Sequence, residues 1–224
     1  MEIINKAIKE GRKMLSEYES KRVLDAYDIP ITREALIANR DELLNATHDM
    51  GYPVVLKACS PEIAHKTEKG LIVPDIRTDR EAEEAFEGLN QKMEGLSDGA
   101  VLVQEMVSGK RELMAGLIRD QQFGPCVMFG LGGIFSEILK DVSFRLAPLT
   151  KKDAIEMMNE INGQKILEDI RGMGPVNKES LASIIMKLGR IGLENERIQE
   201  IDINPVIIAG TEPIAVDALI ILDS

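Results

Sequence analysis

From residue 112 to residue 146 the chain strings together four short apolar runs, 112–119, 125–130, 134–139 and 142–146, with tight turns between them and no room for a helix. That texture predicts consecutive antiparallel strands. It also divides the chain. Before it, helix-like and strand-like segments alternate. After it come two helix-like stretches, 151–162 and 178–193, and closing strands at 198–203, 206–209 and 214–222. The pattern is that of an α+β protein in two α/β subdomains. The expected division is 1–108, carrying a leading helix, and 109–224, carrying the closing strands. A ligand cleft between two such subdomains is the default expectation.

In the first half the helix signals are local. Ile3, Ile4, Ala7, Ile8, Gly11, Met14, Leu15 and Tyr18 keep helical spacing, predicting a helix through to Tyr18, and Ser16 with Glu19 marks a restart. Pro30 stops that helix, and a short strand is expected over 29–36. Asn39 with Glu42 opens a helix that Gly51 ends, and Thr78 with Glu81 opens another. Between them, 53–58 and 71–76 read as strands, as does 100–107.

Composition excludes more than it assigns. The net charge of −11 argues against a nucleic-acid backbone as partner, because phosphate neutralisation there needs a basic surface. It leaves room for a basic pocket inside an acidic shell. Cys59 and Cys126 are far apart and show neither metal spacing nor a disulfide framework. No apolar run reaches the ~18 residues of a membrane span. The first residues have no apolar signal-like core. A soluble, cytoplasmic protein is expected, without nucleic acid or membrane partners.

Three groups of residues carry chemistry. Lys57 stands inside the apolar run Val54-Val55-Leu56-Lys57-Ala58-Cys59. Burying a lone ammonium is costly, so Lys57 either points outward by alternation or meets an anion such as a nucleotide phosphate. His65 lies in the polar loop 60–70. A neutral imidazole near pH 7 is a competent nucleophile that can carry a phosphoryl group, although a solvated loop His has the same neighbours. His48 reads as a surface residue. Near the C-terminus, Asp202 and Asn204 share one strand face, and a hairpin over 210–213 returns Asp217 alongside. Two carboxylates and an amide oxygen suit Mg²⁺; polar strand ends at Pro205 are the plain alternative. The glycines of Phe129-Gly130-Leu131-Gly132-Gly133 allow backbone amides to approach an anion, or make a tight turn. Arg145, downstream, offers a cation for phosphate.

Taken in order, these stretches resemble the ATP-grasp subunit of NDP-forming acyl-CoA synthetases, of the ADP-forming acetate–CoA ligase type, related to succinyl-CoA synthetase. The resemblance rests on 55–58, Ser60-Pro61 with His65-Lys66-Thr67, 103–107, 129–133, 140–149 and 202–206, and spans about residues 15 to 222. It implies an ATP-grasp fold with ATP or ADP as substrate. Lys57 would contact nucleotide phosphates, with Glu105, Met106 and Val107 the hinge at the adenine and Glu112 near the ribose. Arg145 would neutralise phosphate, and Asp202, Asn204 and Asp217 would hold Mg²⁺. His65 matches a second phosphohistidine of the family, which receives phosphate from a histidine on the CoA-binding subunit. One departure is visible: the family has two glycines after the His-Lys-Thr stretch, where this chain reads Glu68-Lys69-Gly70.

The family's CoA-binding part has no counterpart among these 224 residues, which implies a separate CoA-binding α partner, expected as a heterotetramer. The implied chemistry is a relay from acyl phosphate through the partner's histidine and His65 to Mg·ADP. The alternatives are another ATP-grasp ligase that does not need His65, and a non-catalytic nucleotide-binding regulatory module.

Overall fold

The computed structural model describes residues 2–63, 70–96, 99–133 and 141–223. The chain divides into two compact units: residues 15–19 with 32–107, and residues 1–14 with 20–31 and 108–224. One break between the units falls after Val107. The leading segments, grouped from sequence with 1–108, belong largely to the unit built from Ser108 onward.

The first unit is a four-stranded sheet in the order β1-β4-β2-β3, all pairs antiparallel. Its strands are β1 (Glu34–Ile37), β2 (Val54–Cys59), β3 (Ile72–Ile76) and β4 (Ala100–Glu105). Helices α3 (Arg40–Met50) and α4 (Asp79–Lys92) supply the rest of its core. Both begin at the expected caps: Asn39 accepts the Glu42 N–H at 3.0 Å and Thr78 accepts the Glu81 N–H at 3.2 Å. Alternation sorts β2. Val54, Leu56 and Ala58 join Leu43, Ala82, Leu89, Val101 and Val103 in one apolar cluster. Val55, Lys57 and Cys59 point to the other face. All six residues of β2 are buried, so both faces are covered.

The second unit is a six-stranded antiparallel sheet, β10-β8-β5-β6-β7, with β9 paired to β8. Its strands are β5 (Glu112–Asp120), β6 (Gly124–Leu131), β7 (Val142–Leu146), β8 (Ile198–Ala209), β9 (Glu212–Ala215) and β10 (Ala218–Leu222). Helices α5 (Lys151–Glu160) and α6 (Lys178–Glu194) pack on one face of it, against Leu117, Val127 and Phe129. Gly192 lets α6 approach closely, since a Cβ there would stand 2.8 Å from that of Pro125. Arg119 ends α6: its guanidinium donates to the carbonyls of Gly192 (2.6 Å) and Asn195 (3.0 Å), acceptors at the negative end of the helix, and to that of Ile198 (2.8 Å) at the start of β8.

Three expectations are corrected. The helix predicted through Tyr18 is α1 (Glu2–Lys9); Gly11 adopts φ 70°, and α2 (Glu17–Asp25) starts afresh at the Ser16–Glu19 capping box. The strand predicted over 29–36 begins only at Glu34. The closing strands divide differently as well. β8 runs unbroken through Pro205, and the break falls on the returning chain, between β9 and β10. Pro205 has no N–H to give a neighbour, yet its carbonyl still accepts from Val216 at 3.0 Å, so the ladder interrupts opposite it without ending β8. The strand expected over 134–139 lies outside the described residues. No helix among the described residues is long and apolar enough to cross a membrane.

Candidate nucleotide and cation site

Asp202 sits at the middle of β8, paired across to Gly116 of β5 and Leu219 of β10. The Ala218↔Ile203 pairing sets Asp217 opposite Asn204 when the register is continued by one residue. Asp202 and Asn204 therefore share one strand face, and Asp217 returns beside Asn204 in the gap between β9 and β10. Glu200 belongs to the same face by alternation and was not singled out beforehand. Burial foremost, then the charges of Glu200 and Asp217, raise the Asp202 carboxyl to about 6. Its Oδ1 is buried and has no hydrogen-bond partner among the described residues. Orphaned buried acceptors are rare and call for an explanation.

A divalent cation fits this site. The donors are hard oxygens, the local charge is negative, and one acceptor awaits a partner. Among the described residues no three His, Cys, Asp or Glu side chains form a ready metal cluster. Two carboxylates and one amide oxygen are too few for a closed all-protein cage. They suit Mg²⁺, which keeps waters and phosphate oxygens in its shell.

In the first unit, Lys57 is 5% exposed and its Nζ lies 2.7 Å from Glu17 Oε1, itself fully buried. The sequence signalled that a buried Lys needs an anion, but Glu17 is 40 residues away and no local pattern connects the two. Glu105 closes β4. Its carboxylate takes the Arg33 backbone N–H and side-chain Nε, both at 2.8 Å, and Arg33 also donates to the Met50 carbonyl. Met106 is 37% exposed and its N–H bonds the Pro53 carbonyl at 3.3 Å; Val107 is half-buried beside it.

Glu112 opens β5 and is exposed. Its carboxylate lies against Gly133, which has φ 60°, a backbone conformation that favours glycine. The Gly132 N–H donates to the Glu112 carbonyl at 2.9 Å, so the glycine run is tied to the start of β5. Asp141, at the far end of the same stretch, is buried and accepts the N–H groups of Asn162 and Gly163, each at 2.7 Å.

Arg145 does not join Asp202. Its β6 partner is Val127, whose own partner is Leu117, in the row that packs on the helices. There it pairs with Glu160 of α5, with Nη1 2.9 Å from Oε2. The Asp202 row runs instead through Gly116 and Met128 to Phe144. The sequence reading gave both residues roles at the nucleotide phosphates, from separate stretches, and one step of strand alternation separates them. His65 and Lys140 lie outside the described residues. His48 is exposed on α3 and pairs with Asp79 at 2.9 Å, as a surface residue.

Comparison with known proteins agrees with this architecture. A family profile described as an ATP-grasp domain matches residues 6–222. The chain is 48% identical over 225 residues to the β subunit of ADP-forming acetate–CoA ligase I from Pyrococcus furiosus, covering 99% of this chain and 97% of that one. It superposes with TM-score 0.93 and 41% identity, over 99% of both chains, on the dinucleotide-forming acetyl-coenzyme A synthetase 1 of Korarchaeum cryptofilum in complex with coenzyme A and Ca-AMPCP. A second structure of that enzyme, described as holding Mg-AMPPCP with a phosphohistidine segment pointing towards the nucleotide-binding site, gives TM-score 0.87 at 41% identity, again over 99% of each chain. The chain belongs to the ATP-grasp family, in the group that includes the β subunits of ADP-forming acetate–CoA ligases.

Proposed function

We propose that this chain is the nucleotide-binding subunit of an ADP-forming acyl-CoA synthetase, moving phosphate between His65 and ADP. The observation that carries the reading is the buried Oδ1 of Asp202, which has no hydrogen-bond partner among the described residues and lies on the strand face of Asn204, with the charge of Asp217 close by. A family likeness covering nearly the whole chain supplies the reaction.

In the forward step an oxygen of the ADP β-phosphate attacks phosphorus on phosphorylated His65, whose other ring nitrogen carries a proton. A P–O bond forms, the N–P bond breaks, and the ring nitrogen takes back its electron pair; with the proton kept on the other nitrogen, the products are ATP and neutral imidazole. Such transfers depend on positioning and charge neutralisation more than on covalent chemistry by the protein. Lys57 meets nucleotide phosphate, the backbone of Met106 and Val107 meets the adenine, and Glu112 meets the ribose. Asp202, Asn204 and Asp217 would hold Mg²⁺, which would supply positive charge to the phosphate oxygens. Glu105 acts through its bonds to Arg33, which fix the end of β4 from which the hinge departs. Arg145 has no part in this scheme.

The P. furiosus relative is named as a β subunit, which implies a second subunit there. For this chain we assign a separate CoA-binding partner in a cytosolic heteromer, with acid selectivity residing in that partner.

The test is incubation of the chain with γ-labelled ATP and Mg²⁺, with and without the partner, beside a His65→Ala variant. Acid-labile, base-stable label on the wild type alone supports the relay. Full acyl-CoA synthesis by the variant points to another ATP-grasp ligase, and nucleotide binding with no label even beside the partner points to a regulatory module.

A further inference from the structure

The pair Glu17–Lys57 has a placement that fold stability does not account for. Lys57 leaves β2 on the face away from the cluster formed with α3 and α4, and its strand neighbours there, Leu102 and Gln104, are buried. An ammonium in such surroundings requires an anion. Yet a buried ion pair is a poor source of stability, because well-packed apolar residues of the same volume serve as well or better. What a fixed carboxylate does supply is direction. The lysine stem has four rotatable bonds, and a 2.7 Å contact with a fully buried carboxylate selects one of its conformers.

Glu17 is itself held. It occupies the first turn of α2, where the helix N-terminus favours a negative charge. That turn is locked by reciprocal bonds: Ser16 N–H to Glu19 Oε2 at 2.9 Å, and Glu19 N–H to Ser16 Oγ at 3.3 Å. The order of support runs from capping box to Glu17 to Lys57.

We propose that Glu17 is a positioning residue, whose buried carboxylate pre-sets the Lys57 ammonium for nucleotide phosphate. The inference rests on the reading that Lys57 meets that phosphate. On ligand arrival the ammonium is shared between Glu17 and the incoming phosphate oxygens.

Calorimetric titration of the full chain with Mg·ADP, beside thermal melting, tests this in Glu17→Gln, Glu17→Asp, Lys57→Met and the Glu17→Gln/Lys57→Met double variant. Glu17→Gln should weaken ADP about tenfold even where the protein remains folded, since small misplacements of a binding group have effects of that order or larger. The double variant should bind no more weakly than Lys57→Met alone, because Glu17 acts only through Lys57. Glu17→Asp keeps the charge but withdraws it by one methylene, and should fall between, with a melting temperature near wild type; it answers the question if Glu17→Gln fails to fold. A Glu17→Gln protein that melts lower yet binds ADP as the wild type does, or a loss that adds in full to that of Lys57→Met, overturns the positioning role alone. Unchanged ADP affinity in Lys57→Met removes Lys57 from the nucleotide site and the inference with it.

Discussion

Asp202 and Arg145 lie on opposite faces of one six-stranded sheet, in neighbouring cross-strand rows. The family resemblance implies a metal ligand at Asp202 and a phosphate cation at Arg145. Strand pairing separates them, because a shift of one residue moves a side chain to the other side.

The Arg145→Gln variant should therefore retain phosphate transfer, with kcat/KM within about threefold of wild type. Its stability should change by less than about 1 kcal/mol, the usual range for a partly exposed ion pair such as that with Glu160. Steady-state kinetics and a denaturant titration check both. A hundredfold loss of kcat would show that Arg145 leaves Glu160 to act on the substrate.

Asp202 sets a pH dependence with a definite sign. Its folded-state carboxyl titrates near 6, above the ordinary value of 3.8, so the native state holds that proton more tightly than the unfolded chain does. Ligand-free stability should fall as pH rises from about 4 to 6 and then level off. At one pKa unit per 1.36 kcal/mol the full effect is up to about 3 kcal/mol. Asp202→Asn should melt higher than wild type at pH 8 and near it at pH 4, visible in a pH series of thermal melts. No gain at pH 8 would mean that ionised Asp202 is not strained.

Cation removal bears on the same residues. With Mg²⁺ and ADP present the wild type should melt several degrees higher, by ordinary linkage. EDTA should abolish most of that rise, and Asp202→Asn or Asp217→Asn should lack it. A rise in either variant equal to that of the wild type would place the cation elsewhere.

Gly192→Ala should cost about 1–3 kcal/mol, the range for overpacking a well-filled core. The added methyl would press on Leu117 and Pro125 beneath α6. Ligand affinity should stay unchanged in the folded fraction. Wild-type stability on urea denaturation would show that α6 can shift outward freely.

The local signals were the most legible. The Asn39 and Thr78 caps formed as read, because each depends on residues three apart. The shared face of Asp202 and Asn204 followed from period two within a single strand. Partners fixed only by tertiary structure were out of reach. Glu17 gives no sign of meeting Lys57, and Arg33 gives none of meeting Glu105. Pro205 misled for a related reason: a missing N–H interrupts whichever strand needed it, and here that was the neighbour. Arg145 marks the limit of reading by motif, since order along the chain carries no information about which side of a sheet a residue faces until its pairing is known.

Arg111 extends the same lesson to loops. It is buried, and its guanidinium donates to the carbonyls of Gly174 (2.9 Å) and Gly210 (2.8 Å), with longer bonds to Glu168 and Met173. The glycine-rich stretch 168–174 would attract an engineer looking for a site to graft a tag or to cut new termini. Because one side chain fastens it to the 210 turn, an insertion there would be transmitted to the hairpin that returns Asp217 to Asn204. The turn at Gln121 and Gln122 is exposed, with the Gln122 N–H bonded to the nearby Asp120 carboxylate, and is the better place to open the chain.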